Sequence, residues 1–376
     1  MNNRADYEST LQALGLCVSA RVPFLLWGDP GEGKTAVIES ARASGWHVET
    51  LIVSHHEPTD FAGLPVIGPD GSVLLSPPAW ARRLANCGQR AIAFFDEWTT
   101  AAPAVQAAAL RPLTHYEVGD LKLPDTVSFG AAANPTDVAT AGWELAPPTA
   151  NRFCHLDWEM PLEVFAECLV TGSWPQMPVY DSPLAYAAEL ASTRVLAAGY
   201  LRARWGQLKA IPADVAGRGR AFPTPRTWDY ATQLIALGRA VGARPAAVTL
   251  VAAGTIGAAT AHEFMVWADA QDLPDPEFLL ADPDGADLSG MRADRTYVVL
   301  QAILAAFLRK PTAQRWADAI RVCAHAAEHG NLDAAVPVVR ALVRDGTRPI
   351  DAQTPAEIKV FAAPLALAGL LPKSGA

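Results

Sequence analysis

The sequence predicts an α/β fold: a parallel five-stranded sheet with helices on both faces in the first half, and a mainly helical second half. Three observations lead there. Five short apolar segments, Val22–Trp27, Trp46–Val53, Ala91–Phe95, Val127–Ala133 and Phe153–Trp158, are each bounded by Gly, Pro, Asp or Asn and separated by helix-compatible stretches. That is the pattern of buried strands joined by helical crossovers. A Gly-rich turn, Gly28–Thr35, stands directly between the first of these strands and the helix-compatible Ala36–Ala43. From about residue 161 onward the chain turns Ala/Leu-rich with helical periodicity, interrupted at Trp174-Pro175, Gly217–Arg220 and Leu273–Pro276.

These features place a sheet-bearing core at residues 1–160 and a helical region at 161–376. A length of 376 residues suits two to three domains at about 150 residues each. Between the second and third strands, Pro69-Asp70-Gly71 is flanked by Leu64–Ile67 and Val73–Leu75, which predicts a hairpin insertion near 63–78. A second hairpin is expected at Tyr116–Leu123, around Gly119-Asp120. The longest uncharged stretch, Pro245–Ala261, is Ala/Gly/Thr-rich, broken by Gly254 and Gly257, and runs into His262 and Glu263. It reads as a packed helix and not as a membrane span.

Composition narrows the function classes. Hydrophobic residues at 51% and charged residues at 18% supply ample core and exclude a disordered chain. Thirty basic against 39 acidic residues give a net charge of −9, which argues against a surface built throughout to grip nucleic acid. The five cysteines, Cys17, Cys87, Cys154, Cys168 and Cys323, are scattered and form no C-x-x-C pair, so a reducing, cytoplasmic setting is expected. The opening MNNRADYEST carries acids where a secretory signal would be basic and then apolar.

The segment Gly28-Asp29-Pro30-Gly31-Glu32-Gly33-Lys34-Thr35 matches G-x-x-x-x-G-K-[ST], with Ala36 opening the helix. Glycines let backbone N–H groups turn inward around phosphate oxygens, Lys34 neutralises the β/γ-phosphates, and the Thr35 hydroxyl suits Mg²⁺. The bland alternative is a strand-to-helix turn that binds nothing. A second rare pattern, His325-Ala326-Ala327-Glu328-His329, fits an inverted zinc-peptidase signature. Little chain follows to supply a third ligand, and Gly330-Asn331 reads as a helix C-cap, where His side chains face the negative end of the dipole.

The phosphate loop has further parts in the order such a site needs. Ala91–Phe95 ends in Asp96 and Glu97: Asp96 is placed to hold Mg²⁺ beside the γ-phosphate, and Glu97 to activate the attacking water. The same acids could simply open the next helix, with Thr99 or Thr100 and Pro103 in its first turn. Val127–Ala133 runs into Asn134, an amide at a strand tip that could fix the water or the γ-phosphate, or merely turn the chain before Pro135. Asn134-Pro135-Thr136-Asp137 also mimics a guanine-reading N-K-x-D, but Pro replaces the Lys, which favours ATP over GTP.

With these residues in view, the chain resembles AAA+ ATPases, specifically the MoxR-like group. The likeness extends to Asn151-Arg152-Phe153 after Pro147-Pro148, similar to the segment carrying the arginine finger, and to Pro225-Arg226, similar to the second sensor arginine that opens the lid helix. Glu57–Pro65 and the stretch from Glu263-Phe264 to Asp275-Pro276 also look like this group. Asn151 departs from the Asp that many relatives carry there. Arg152 alternatively reads as a structural arginine, and Arg226 as one of a solvated basic stretch with Arg202, Arg204, Lys209, Arg218 and Arg220. The resemblance implies a P-loop AAA+ core with a helical lid, ATP and Mg²⁺ as ligands, and a homo-oligomeric ring, expected to be a hexamer. It also implies a protein client and a partner with a von Willebrand factor A domain.

A ring follows if Arg152 acts across a subunit interface, since its charge then reaches only a neighbour's γ-phosphate. Segments expected to face the ring centre are His55–Pro65, with Phe61 as an apolar contact or as core filler, and the 63–78 hairpin. The leading expectation is a chaperone-like ATPase that remodels, matures or activates a protein client. The alternatives are a nucleic-acid translocase or restriction-type motor using Arg202–Arg226, and a non-hydrolysing nucleotide switch, which the Asp96-Glu97 pair opposes.

Overall fold

The computed structural model describes residues 4–370 apart from 136–141, 182, 272 and 345. Its centre is a parallel sheet of five strands: β1 (Phe24–Trp27), β2 (His47–Ile52), β5 (Ala91–Asp96), β8 (Val127–Ala133) and β9 (Cys154–Asp157). Two antiparallel hairpins are excursions from it, β3 (Leu64–Ile67) with β4 (Val73–Ser76), and β6 (Glu117–Val118) with β7 (Leu121–Lys122). Each of the five apolar segments and both predicted hairpins is thus formed. The sheet order is β2-β5-β8-β1-β9. This is the expected α/β class, a five-stranded parallel core sheet with helices, followed by a helical C-terminal region.

The chain packs as two units, Met1–Leu190 with Gly206–Glu263, and Ala191–Trp205 with Phe264–Ala376. In the first unit lie α1 (Arg4–Ala20), α2 (Lys34–Glu39), α3 (Thr59–Ala62), α4 (Ala79–Asn86), α5 (Pro103–His115), α6 (Pro147–Ala150) and α7 (Leu162–Thr171). Helix α8 (Tyr186–Ala203) crosses the unit boundary in sequence, and α9 (Val215–Arg218), α10 (Pro225–Ala240) and α11 (Pro245–Ile256) return to the first unit.

Both faces of the three inner strands, β1, β5 and β8, are dry, which is why these strands read as near-continuous apolar runs and not as alternating ones. Along β1, Phe24 and Leu26 enter a core with Leu14 of α1, Phe94, Leu234 and Val251. Leu25 and Trp27 point the opposite way, into a core with Phe61, Phe95, Trp98, Leu113 and Phe129. Phe61 is fully buried, ringed by His56, Trp80 and Phe95. Of its two expected roles, core filler is the one the structure bears out, and an exposed apolar contact is not. The hairpin beyond it is the reverse case: Leu64, Ile67 and Val73 are 57%, 83% and 69% exposed, far more than a strand needs for its own stability.

Packing on β1 is close enough to dictate a glycine. A Cβ on Gly130 of β8 would lie 1.9 Å from Cζ of Phe24, its register partner. Tertiary packing also splits Pro245–Ala261, read in the sequence as one helix. Gly257, at φ +79°, ends α11, and α12 (Ala258–Asp269) starts anew. A Cβ on Gly254 would approach the His155 carbonyl oxygen to 2.3 Å, so α11 lies directly on β9. Among the described residues no helix is long and apolar enough to cross a membrane.

The second unit is helical, with α13 (Pro276–Ala281), α14 (Ala293–Arg309), α15 (Ala313–Ala326), α16 (Leu332–Leu342) and α17 (Ala362–Leu367) around a core that includes Phe307, Trp316, Ile320 and Val338. The buried Trp316 indole N–H donates to the Leu342 carbonyl at 2.8 Å. His329 donates from Nδ1 to the His325 carbonyl at 2.8 Å, and Gly330 stands at φ +85°. This is the helix-end arrangement and not a chelating pair; no cluster of three or more metal-binding side chains occurs among the described residues.

Candidate functional site

The carboxyl-terminal ends of β1, β5 and β8 bring the motif residues together. Gly28 leaves β1 with its N–H on the Ala133 carbonyl of β8 at 3.3 Å, and a Cβ there would lie 2.5 Å from the Trp158 carbonyl oxygen. Asp29 and Pro30 carry the chain outward. Gly31 and Gly33 adopt φ +87° and +77°, which an L side chain tolerates poorly, so these glycines make the turn. Glu32 is anchored from the β9 side. Its carboxylate accepts from the Met160 amide at 2.8 Å, and its carbonyl accepts from the Trp158 indole at 2.8 Å. The loop is therefore held open before any ligand enters.

Lys34 begins α2, with Thr35 and Ala36 in the same turn. Its ammonium donates to the carbonyls of Gly28 (2.7 Å) and Asp29 (2.8 Å) and to Oδ1 of Asn134 (3.0 Å). Burial pushes the Lys34 pKa below the ordinary lysine value, opposed by the charges of Asp96, Asp29 and Glu32. A largely buried cation satisfied mainly by neutral oxygens is poised to take an anion. The Thr35 hydroxyl donates to Oδ2 of Asp96 at 2.5 Å, pairing two hard oxygen ligands of the kind Mg²⁺ takes. Both the glycine cradle and this donor set fit a magnesium triphosphate.

Glu97, next to Asp96, sits at φ +55°, an uncommon left-handed conformation for a residue with a Cβ. Its amide N–H donates to Oδ1 of Asp96 at 2.8 Å. Its carboxylate is exposed and accepts from the Ser54 hydroxyl at 2.8 Å. A short 3₁₀ turn, Trp98–Thr100, follows Glu97 directly, and neither it nor α5, which starts at Pro103, takes a side-chain cap from these acids. Asn134 lies between, on the strand that separates β1 from β5, and reaches Lys34. Thr136 and Asp137 of the guanine-reader mimic lie outside the described residues.

Arg152 and Arg226 are not brought to this loop. In the register of β9 on β1, Cys154 pairs Phe24 and Asp157 pairs Trp27. Arg152 precedes Cys154, so it lies at the opposite edge of the sheet, on the order of 10 Å or more along the strand direction. Its guanidinium donates to the Pro148 carbonyl, and its buried Nε has no partner. Burial and the adjacent Arg226 charge lower its pKa. Arg226 opens α10, whose capping Thr224 donates to Oδ1 of Asn151 at 2.9 Å while Asn151 donates to the Phe222 carbonyl. An aspartate at 151 could accept but not donate, which accounts for asparagine here. The docking of Thr224 on Asn151 sets Arg226 beside Arg152 instead of beside Lys34, a departure from the expected place of a second sensor on its own nucleotide.

The arginine that does reach the loop is Arg220. It pairs with Asp157 at 2.8 Å, lies 4.3 Å from the Trp27 ring, and lines a cavity of about 230 Å³ with Gly28, Asp29 and Glu32. The same side chain borders a cavity of about 330 Å³ formed with Thr10, His155, Leu250 and Gly254. In the sequence Arg220 is one of six basic residues between Arg202 and Arg226 and carries no distinguishing signal. Ser54 is equally silent there, a lone serine after a strand.

Neither a family model nor a curated protein matches the chain. Solved structures do match, 95 chains in all. One is a candidate ATPase from Cytophaga hutchinsonii, similar at 15% identity with a TM-score of 0.39 over 65% of this chain and 80% of that one.

Proposed function

We propose that the chain is a ring-forming, ATP-hydrolysing AAA+ motor of the MoxR-like kind that remodels, matures or activates a protein client in the cytoplasm. One observation carries the reading: three strand tips converge so that Lys34 bonds Asn134 at 3.0 Å while Thr35 bonds Asp96 at 2.5 Å. Phosphate oxygens would replace the Gly28 and Asp29 carbonyls on Lys34. Thr35 and Asp96 would hold Mg²⁺, which supplies charge neutralisation at the β- and γ-phosphates. Glu97 takes a proton from the attacking water, and Asn134 orients the γ-phosphate or that water. In this reading residues 1–160 form the nucleotide-binding core and the helices after 161 form the lid and C-terminal region.

The guanidinium that completes the site comes from a neighbour. Arg152 lies at the far edge of its own sheet, with Arg226 beside it, so the pair serves the next subunit's nucleotide and a closed ring, a hexamer by resemblance, is required. The exposed apolar hairpin β3–β4 is the surface that would engage the client, with a von Willebrand factor A-type partner supplied by the resemblance. The basic stretch Arg202–Arg226 gives little support to a nucleic-acid motor. Arg218 is bonded to the Pro212 and Ala213 carbonyls, Arg220 is paired with Asp157, and Arg202 lies over Tyr297.

The deciding experiment measures ATP turnover against protein concentration for the wild type, Glu97→Gln and Arg152→Ala. Specific activity that rises with assembly, vanishes in Glu97→Gln, and falls about 10³–10⁵-fold in Arg152→Ala supports the ring motor. Nucleotide binding without turnover at any concentration would leave a switch instead.

A further inference from the structure

We infer that His155 is a positioning residue that ties Arg152, the arginine a subunit presents to its neighbour, to the state of that subunit's own phosphate loop. The inference rests on the trans role of Arg152 given above. Trp27 is the last residue of β1 and immediately precedes Gly28. Its indole Nε1 donates to Nδ1 of His155 at 2.9 Å, and the two rings stack 12° from parallel. With Nδ1 accepting, the proton of the neutral imidazole is on Nε2, which donates to the Ala150 carbonyl at 2.9 Å.

Ala150 ends α6, and α6 is what holds the arginine. The Arg152 amide donates to Thr149 at 3.0 Å, and its guanidinium donates to the Pro148 carbonyl. Arg220 also lies against the Trp27 indole, 4.3 Å from the ring, and borders the cavity at Gly28, Asp29 and Glu32. A ligand phosphate entering that cavity competes with Asp157 and Trp27 for Arg220, so the load on Trp27 changes with occupancy. His155 passes this on because it is buried and has one donor and one acceptor, both used. If either partner shifts, a polar atom is left without a bond in a dry site. Burial together with the Arg220 charge pushes its pKa down to about 4, so it keeps the single-proton form this chain of bonds requires.

The test uses His155→Phe, His155→Gln and Trp27→Phe in the full chain. His155→Phe leaves Mg·ADP affinity by calorimetry as in the wild type and lowers kcat about 10-fold or more, since displacing a reacting group by about 1 Å costs up to 10²-fold. Mixing in Glu97→Gln chains, which cannot turn over but carry an undisturbed Arg152, restores turnover by the His155→Phe chains. His155→Gln, whose amide can both accept from the indole and donate to the carbonyl, retains the wild-type kcat. Trp27→Phe removes the indole donor to His155 and lowers kcat in the same direction; it carries the test should His155→Phe not fold. Loss of Mg·ADP binding together with kcat, no rescue on mixing, His155→Gln as poor as His155→Phe, or an unchanged kcat in Trp27→Phe would each overturn the inference. Unchanged hydrolysis in Arg152→Ala would instead overturn the reading it rests on, and the two failures are told apart by that single variant.

Discussion

The Ser54 hydroxyl donates to Oε2 of Glu97 at 2.8 Å, joining the end of β2 to the acid that follows β5. Ser54 lies just upstream of α3 and the exposed β3–β4 hairpin, so the bond links the carboxylate proposed to activate water to the segment proposed to meet the client. A carboxylate held by a hydroxyl donor is a less mobile one. Ser54→Ala is expected to raise unstimulated ATP turnover about 3- to 10-fold, within the ~0.5–1.5 kcal/mol that a typical hydrogen bond contributes net. Steady-state assays in the wild-type and Glu97→Gln backgrounds check this; a fall in turnover would mean that Ser54 aims Glu97 productively.

Removal of the Lys34 ammonium leaves the phosphate oxygens facing carbonyls and the carboxylate of Asp96. Lys34→Ala is expected to weaken Mg·ATP binding about 10- to 100-fold, at the 1.5–3 kcal/mol typical of a charged hydrogen bond. Asp96→Asn should instead abolish the difference in affinity between magnesium-containing and chelator-treated solutions. Titration calorimetry reads both.

Arg220 and Arg226 should separate by kinetics, because one borders the subunit's own loop and the other stands beside Arg152. Arg220→Ala is expected to lower nucleotide affinity about 10-fold, the loss of one charged contact. Arg226→Ala should leave affinity in place and lower kcat. A common loss of affinity in both variants would contradict the placement of α10.

His155 also makes stability depend on pH. Burial first, then the Arg220 charge, lowers its pKa from 6.5 to about 4, while its bond to the Ala150 carbonyl opposes the shift. Between those values the unfolded chain binds a proton that the folded chain refuses, so stability falls as pH falls. The contribution is fully present above 6.5 and is lost progressively down to about 4. Compared with His155→Gln, the wild type should lose about 2–3 kcal/mol more stability on going from about pH 7.5 to about pH 4.5, read by urea denaturation.

Gly130→Ala tests the packing beneath the loop. Its Cβ would meet the Phe24 ring at 1.9 Å, and neither strand can shift without breaking its ladder. A destabilisation of about 1–3 kcal/mol is expected from such overpacking, measured as a lowered unfolding midpoint.

Much of this molecule was legible in its residues. Strands buried on both faces must be apolar throughout, so β1, β5 and β8 announce themselves, and the Asp-Gly turn between apolar runs gives β3–β4. Gly31, Gly33, Lys34 and Thr35 are fixed by local chemistry, since only that spacing lets backbone amides and an ammonium close on phosphate oxygens. Phe61 was ambiguous because an isolated aromatic reads the same whether it meets a core or a client. Arg220 and Ser54 were illegible because their roles depend on partners far away in the chain.

The sequence by itself determined the strand-forming segments, the loop that follows Trp27, and the acids at the tip of β5, because each follows from residues that are neighbours along the chain. The order of the strands was decided only in three dimensions. Inserting β8 between β1 and β5 puts Asn134 within reach of Lys34, and pairing β9 parallel to β1 leaves Arg152 at the end of the strands away from the loop. Packing on both faces selects that order, and hydrophobic burial is indifferent to sequence distance, so no local pattern could have disclosed which arginine would stand beside the phosphate loop.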